Sequence, residues 1–206
     1  MLSITYDGRQ SIADIQSRFR THLSEKEILK STAYTLNEVG KKVQAFIKKE
    51  VKRDYTMSKK YLDRTSAITH KAKSEASSLY VDIEFNYRTV PMVAFKHTGS
   101  PGSKRPIKVT IKKGTSTTFK HAFIATMNSG HKGIFSSGRY INRKFVHDKS
   151  KTNSGKTRIT ELRSASPFTM STSKAIEPRI TKYVGGMMIA RLKHNLQRKV
   201  NKMKTL

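Results

Sequence analysis

Residues 24–55 read SEKEILKSTAYTLNEVGKKVQAFIKKEVKRDY, and the architecture is built around this run. It opens on Ser24-Glu25-Lys26-Glu27, a capping box in which the Ser24 hydroxyl meets the Glu27 amide and the Glu27 side chain reaches back. Beyond the box, Ile28, Leu29, Thr32, Ala33, Leu36, Val39, Val43, Phe46, Ile47 and Val51 recur at three- and four-residue steps. That spacing is one face of an amphipathic helix ending near Tyr55, with its aliphatic stripe turned to a core. Upstream, Ile12, Ile15 and Phe19 mark a short helix over residues 11–22. Residues 1–6 read as a strand closed by the turn pair Asp7-Gly8. Downstream, residues 57–63 add a helical turn or two.

The period then changes. Leu79, Val81, Ile83, Phe85 and Tyr87 alternate with polar residues, which predicts a half-buried strand. Residues 90–96 predict a second strand, held to a sheet edge or strand start by Pro91. Residues 97–104 form a loop. Ile107, Val109 and Ile111 give a third strand with a cationic opposite face, residues 117–127 a fourth, and residues 131–135 a fifth. Short strands with tight connections imply an antiparallel sheet. Residues 136–158 carry seven basic residues against one acid, with little periodicity, and read as a mobile basic loop. Ile176, Ile180, Val184, Met187, Met188, Leu192, Leu196 and Val200 mark a second long helix over residues 173–204. Pro178 is tolerated only in its first turn, and Gly185-Gly186 weakens its middle. The expected fold is α+β: one domain over residues 1–206, a small antiparallel sheet (79–135) packed against a long helix in residues 1–64 and a long basic C-terminal helix.

The chain carries 42 Lys and Arg against 14 Asp and Glu, a net charge of +28, with 35% hydrophobic residues and no Trp. So much like charge on so little apolar material predicts a small core that gains from anionic surroundings or neighbouring subunits. Residues 1–84 hold 16 basic and 11 acidic residues; residues 85–206 hold 26 against three, a net of +23. A surface of that kind sits against negative charge, either nucleic acid or acidic protein faces, and composition admits both. The cationic residues singled out are Arg191, Lys193, Arg198, Lys199, Lys202 and Lys204 near the C-terminus, and Arg143 and Lys144 in the basic loop. Part of the C-terminal charge also suits the helix dipole.

No cysteine is present, which excludes disulfides, thiolate zinc sites and a cysteine nucleophile. The N-terminal residues lack the basic and apolar regions of a secretory signal, and no window has the ~20 apolar residues of a membrane span. A soluble chain is expected. The seven histidines show no paired ligand spacing, and Gly130-x-x-Gly133 lacks the Lys-Ser/Thr of a phosphate loop. Asp82 and Glu84 share a strand face, but the third ligand of a metal site is missing and later acids are too few for a nuclease cluster. Neither a catalytic residue, a metal site nor a cofactor is expected. Modules that read bases are absent as well, so any contact with DNA is expected at phosphate.

The run FIATMNSGHKGIF at residues 123–135 resembles the signature of the tailed-phage minor tail protein Z family, the tail completion proteins. Three flanking stretches are also similar: YTMSKK at 55–60, VPMVAF at 90–95, and Ile159-x-Glu161-Leu162 followed by Ser166-Pro167. Arg158 and Thr160 depart from the family's Pro and Lys, and residues 136–156 are a longer Ser/Lys-rich insertion. Within the motif, Phe123, Ala125 and Met127 are expected to face the core, with Gly130 and Gly133 permitting the reversal that returns Phe135 to it. His131 is expected to bond backbone in the turn. The resemblance implies a structural virion protein, made in the host cytoplasm, at the head-proximal neck of the tail. It further implies a homo-oligomeric ring, sixfold to match the tail. Its neighbours would be tail tube or terminator and head-connector proteins, with a role in placing the genome end. A basic nucleic-acid-binding protein without sequence specificity is the alternative.

Overall fold

The computed structural model describes residues 9–64, 66–75, 79–103, 105–141, 144–147, 150, 152 and 158–204. Its helices are α1 (Arg9–Phe19), α2 (Glu25–Asp54), α3 (Lys59–Asp63), α4 (Pro167–Ser171) and α5 (Glu177–Lys204). Strands β1 (Ser66–His70), β2 (Asp82–Phe85), β3 (Val90–Pro91), β4 (Lys96–His97), β5 (Ile107–Thr110) and β6 (Thr117–Phe119) come first. They are followed by β7 (Ala122–Thr126), β8 (Lys132–Ser136), β9 (Gly138–Ile141), β10 (Lys144–His147), β11 (Thr160–Glu161) and β12 (Arg163–Ser164). The fold is α+β, with a long helix early and a long helix late. The chain divides into two compact units, neither contiguous in sequence: a helical one from residues 1–50, 65–86 and 168–206, and a β-rich one from 51–64 and 87–167.

In the helical unit, the capping box forms as the sequence predicts. The Glu27 amide donates to Ser24 Oγ at 3.4 Å, and the Ser24 amide donates to Glu27 Oε2 at 3.2 Å. Most of the α2 stripe is buried, with Leu29, Leu36 and Phe46 half-buried, and one end of it joins α1 and α5 in a cluster of Ile15, Leu23, Ile28, Leu192, Leu196 and Val200. Leu192 and Leu196 are fully buried, so the helical period of α5 places one row inside and leaves its cations outside. Further along, Phe46 stacks on Tyr183 with centroids 3.9 Å apart. Glu50 Oε2 lies 2.8 Å from Arg179 Nε, an ion pair whose acid is almost wholly buried. The hairpin β1–β2 completes the unit, with His70 stacked on Tyr80. β1 was not expected from the sequence, since Ile68 is its sole large apolar residue.

The β-rich unit corrects four expectations. In place of one sheet there are small antiparallel ones: β4-β5-β6, β11-β8-β7, β12-β3 and β10-β9. The strand expected over 90–96 is split: Val90 and Pro91 pair with β12, a 3₁₀ turn follows at Met92–Ala94, and pairing resumes with β5 from Lys96. Proline has no amide to continue a ladder, and the Met92 amide donates instead to the Leu162 carbonyl. The strand expected over 117–127 breaks at Lys120-His121, so that β6 pairs with β5 while β7 pairs with β8. The region read as a mobile loop contains the hairpin β9–β10, with Phe145 opposite Tyr140. Composition hid it, because in the sequence seven basic residues surround Phe145, on whose ring His121 stacks. Phe145 stacks on His121 with centroids 4.2 Å apart and covers Gly138, where any Cβ would fall 2.7 Å from its ring. The strand expected at residues 1–6, and Arg143, lie outside the described residues.

Candidate nucleic-acid interface

Two sets of residues were singled out from the sequence, and the structure puts them in different units. The cationic set lies on α5 in the helical unit, apart from Lys144, which is exposed at the start of β10 in the β-rich unit. Two of the α5 cations are clamped to acids of α2: Arg191 Nη1 is 3.5 Å from Glu38 Oε1, and Lys199 Nζ is 3.5 Å from Glu27 Oε1. Lys193, Arg198, Lys202 and Lys204 are exposed, and none pairs with a carboxylate among the described residues. Arg198 and Lys202 are one turn apart on a face that also carries His194. The helix thus sorts its charge. Flank cations stitch α5 to α2, and the outward cations remain available.

The stitching acids are tuned for the task. The Ser24 amide and hydroxyl, with Lys199 beside them, hold the Glu27 carboxyl below the ordinary carboxylate range. Lys42, 2.6 Å from Glu38, lowers the Glu38 carboxyl in the same direction, helped by Asn195 and Arg191. Both acids are therefore ionised well into mildly acidic solution, and the clamps persist there. Asn195 adds a neutral link, donating to Thr35 Oγ1 at 3.0 Å and to Glu38 Oε2 at 3.4 Å.

A groove of about 230 Å³ runs between α2 and α5 above these links. Lys30, Tyr34, Arg198 and Lys202 line it. Tyr34 escaped the sequence reading because it stands beside the aliphatic stripe of α2, where a lone aromatic residue gives no periodic signal. Its exposure could be found only by fixing the helix rotation against α5.

The second set is the motif at residues 123–135, whose strands β7 and β8 form a hairpin with Phe123 opposite Phe135 and Ala125 opposite Gly133. The Gly130 amide donates to the Met127 carbonyl at 2.8 Å, and Gly130 has φ +78°, a three-residue loop closed by a left-handed glycine. Gly133 plays a different part from the reversal expected of it. It lies inside β8, where a Cβ would come within 2.8 Å of the Phe135 ring and 2.9 Å of Glu161 Oε1. Phe135 is buried as expected, but on β7 the buried face is the other one: Ala122 and Ile124 are buried, with Ile134 opposite, whereas Phe123, Ala125 and Met127 are half-buried. His131 meets a carboxylate rather than backbone, with Nε2 2.6 Å from Glu161 Oε1. Arg163 Nη1 donates to Glu161 Oε2 at 2.5 Å, and Arg163 Nε to Thr89 Oγ1 at 2.9 Å.

The stretches flanking the motif gather around it. The Ser58 amide donates to the Ala94 carbonyl, the Met92 amide to Leu162, and the Leu162 amide to Ile134, at 2.8–2.9 Å. Thr56 Oγ1 donates to the Thr110 carbonyl and accepts from the Lys96 amide. Residues 55–60, 90–95, 123–135 and 159–167 are thus joined by backbone hydrogen bonds inside one unit.

Asp82 and Glu84 are exposed on β2, and among the described residues no three His, Asp or Glu side chains are placed to hold a metal. No helix among the described residues is long and apolar enough to cross a membrane. No family model, curated protein or solved structure matches the chain.

Proposed function

We propose that this chain is a non-enzymatic tail-completion subunit of a tailed phage, a structural virion protein at the head-proximal neck. The observation that carries the reading is the convergence of four stretches, scattered from residue 55 to residue 167, on one hydrogen-bonded unit. Each was picked out by resemblance to the same family, and their mutual packing gives that resemblance a structural reason. In this reading the β-rich unit provides the shape on which the resemblance rests, and the outward cations of α5 face the phosphates of the genome end. The subunits form a ring, sixfold with the tail, between tube or terminator and head-connector proteins. Ring closure supplies the neighbours that a highly cationic chain with a modest core needs.

Contact through Arg198 and Lys202 is contact with phosphate, which reads no sequence and weakens steeply with salt. The double variant Arg198→Glu, Lys202→Glu is expected to leave tails assembled while infectivity and genome-end placement fall. In solution it should weaken DNA binding equally for all sequences and reduce the salt slope by about 2. Cryo-electron microscopy of intact particles is the decisive measurement, and density for this chain missing from the neck overturns the proposal. The exposed, unpaired cations of α5 also favour a second reading, a nucleic-acid-binding protein without sequence specificity, which predicts the same salt slope but no place in the particle.

A further inference from the structure

Tyr34 is 60% exposed, the most open of the large apolar side chains among the described residues. It covers no core. It stands on α2 one turn after Lys30, and both line the groove whose far wall carries Arg198 and Lys202 of α5. The walls are held by the Asn195 link to Thr35 and the Lys199 clamp on Glu27, so the ring sits on a braced frame. Glu27 is the one acid lining the groove, and Ser24 and Lys199 already engage it.

A flat aromatic face set among cations has a specific complement. An acidic peptide would satisfy the cations and leave the ring idle, and a duplex buries its base faces in its own stack. A single strand offers a phosphate and an unstacked base together, the combination bound by basic grooves with aromatic platforms.

We infer that the α2–α5 groove binds single-stranded nucleic acid, with a base stacked on Tyr34 and its phosphates held by Lys30, Arg198 and Lys202. The inference rests on the reading that α5 faces nucleic acid, and adds to it a preference for unpaired over paired strands and the residue that creates it.

The test is fluorescence anisotropy with a labelled oligothymidylate of about 20 nucleotides and a labelled duplex of equal length, on the full-length protein. The wild type is expected to bind the single strand more tightly. Tyr34→Ala should weaken that binding about tenfold while leaving duplex binding unchanged, and Tyr34→Phe, which keeps the ring, should retain it. Equal binding of the two DNAs overturns the inference and leaves phosphate contact by α5 standing. So does an unchanged Tyr34→Ala, or a Tyr34→Phe as weak as Tyr34→Ala. Binding of neither DNA, with capture of an acidic peptide instead, overturns this inference and the nucleic-acid reading together. Because the side chain is exposed, both variants should fold, and unchanged circular dichroism checks that they do.

Discussion

The helical unit sets 20 Lys and Arg against 10 Asp and Glu, whereas the β-rich unit sets 22 against four. The two manage repulsion by different means. In the helical unit, acids stand at the seams between helices: Glu50 holds Arg179, Glu38 holds Arg191, and Glu27 holds Lys199. In the β-rich unit, short backbone ladders do most of the joining, and Glu161 serves two cationic side chains at once, His131 when protonated and Arg163. The division of charge by sequence position, with +23 in residues 85–206, is therefore not the division in space. The late helix α5 belongs with the early helix α2, where acids are available to it.

The contrast breaks most visibly at Glu50. If seam acids hold the helical unit, Arg179→Ala should take the guanidinium from a buried carboxylate and cost about 3 kcal/mol, read as a lower urea midpoint of the helical signal. Pairing it with Glu50→Leu should recover most of that loss, since a buried ion pair exchanged for apolar groups is often neutral. A single variant as stable as the wild type would show that the seam is held by packing alone.

In the β-rich unit the corresponding stress point is steric. Gly133→Ala puts a methyl group against the Phe135 ring and the Glu161 carboxylate, and is expected to cost about 2 kcal/mol. The β-rich signals should respond and the helical midpoint should hold. A small change would mean that Glu161 can swing away without loss, and that its ties to His131 and Arg163 contribute little.

The smallest expected effect has the opposite sign. A Cβ at Gly186 meets nothing within 4 Å, so Gly186→Ala should stabilise α5 by about 1 kcal/mol. A loss of stability there, measured in thermal unfolding, would show that the position is covered in solution, as ring neighbours would do.

The long helices were legible because a period near 3.6 sustained over 30 and 28 residues has no competing explanation. The strands were legible neither in number nor in extent: twelve stand among the described residues, where the sequence predicts five after the long helix. With two to five residues each, they depend on which partner is in reach, and the sequence does not show that Pro91 stands opposite Arg163. The basic hairpin β9–β10 was missed because the packing of the Phe145 ring over Gly138 leaves no periodic signal in the sequence. Among the site residues, charge singled out Arg198 and Lys202, which are exposed. It could not separate them from Arg191 and Lys199, whose partners lie more than 150 positions away. Tyr34 and the Glu161 partner of His131 needed the tertiary arrangement.

The cluster of Ile15, Leu23, Ile28, Leu192, Leu196 and Val200 takes its members from two stretches more than 160 positions apart. On a ribosome adding ~5–20 residues per second, the first half of that cluster waits on the order of ten seconds or more for its second half. The whole β-rich unit is translated in the interval. For that period α1 and α2 carry an uncovered greasy seam, so nascent chains are most vulnerable to sticking together just before residues 192–200 emerge.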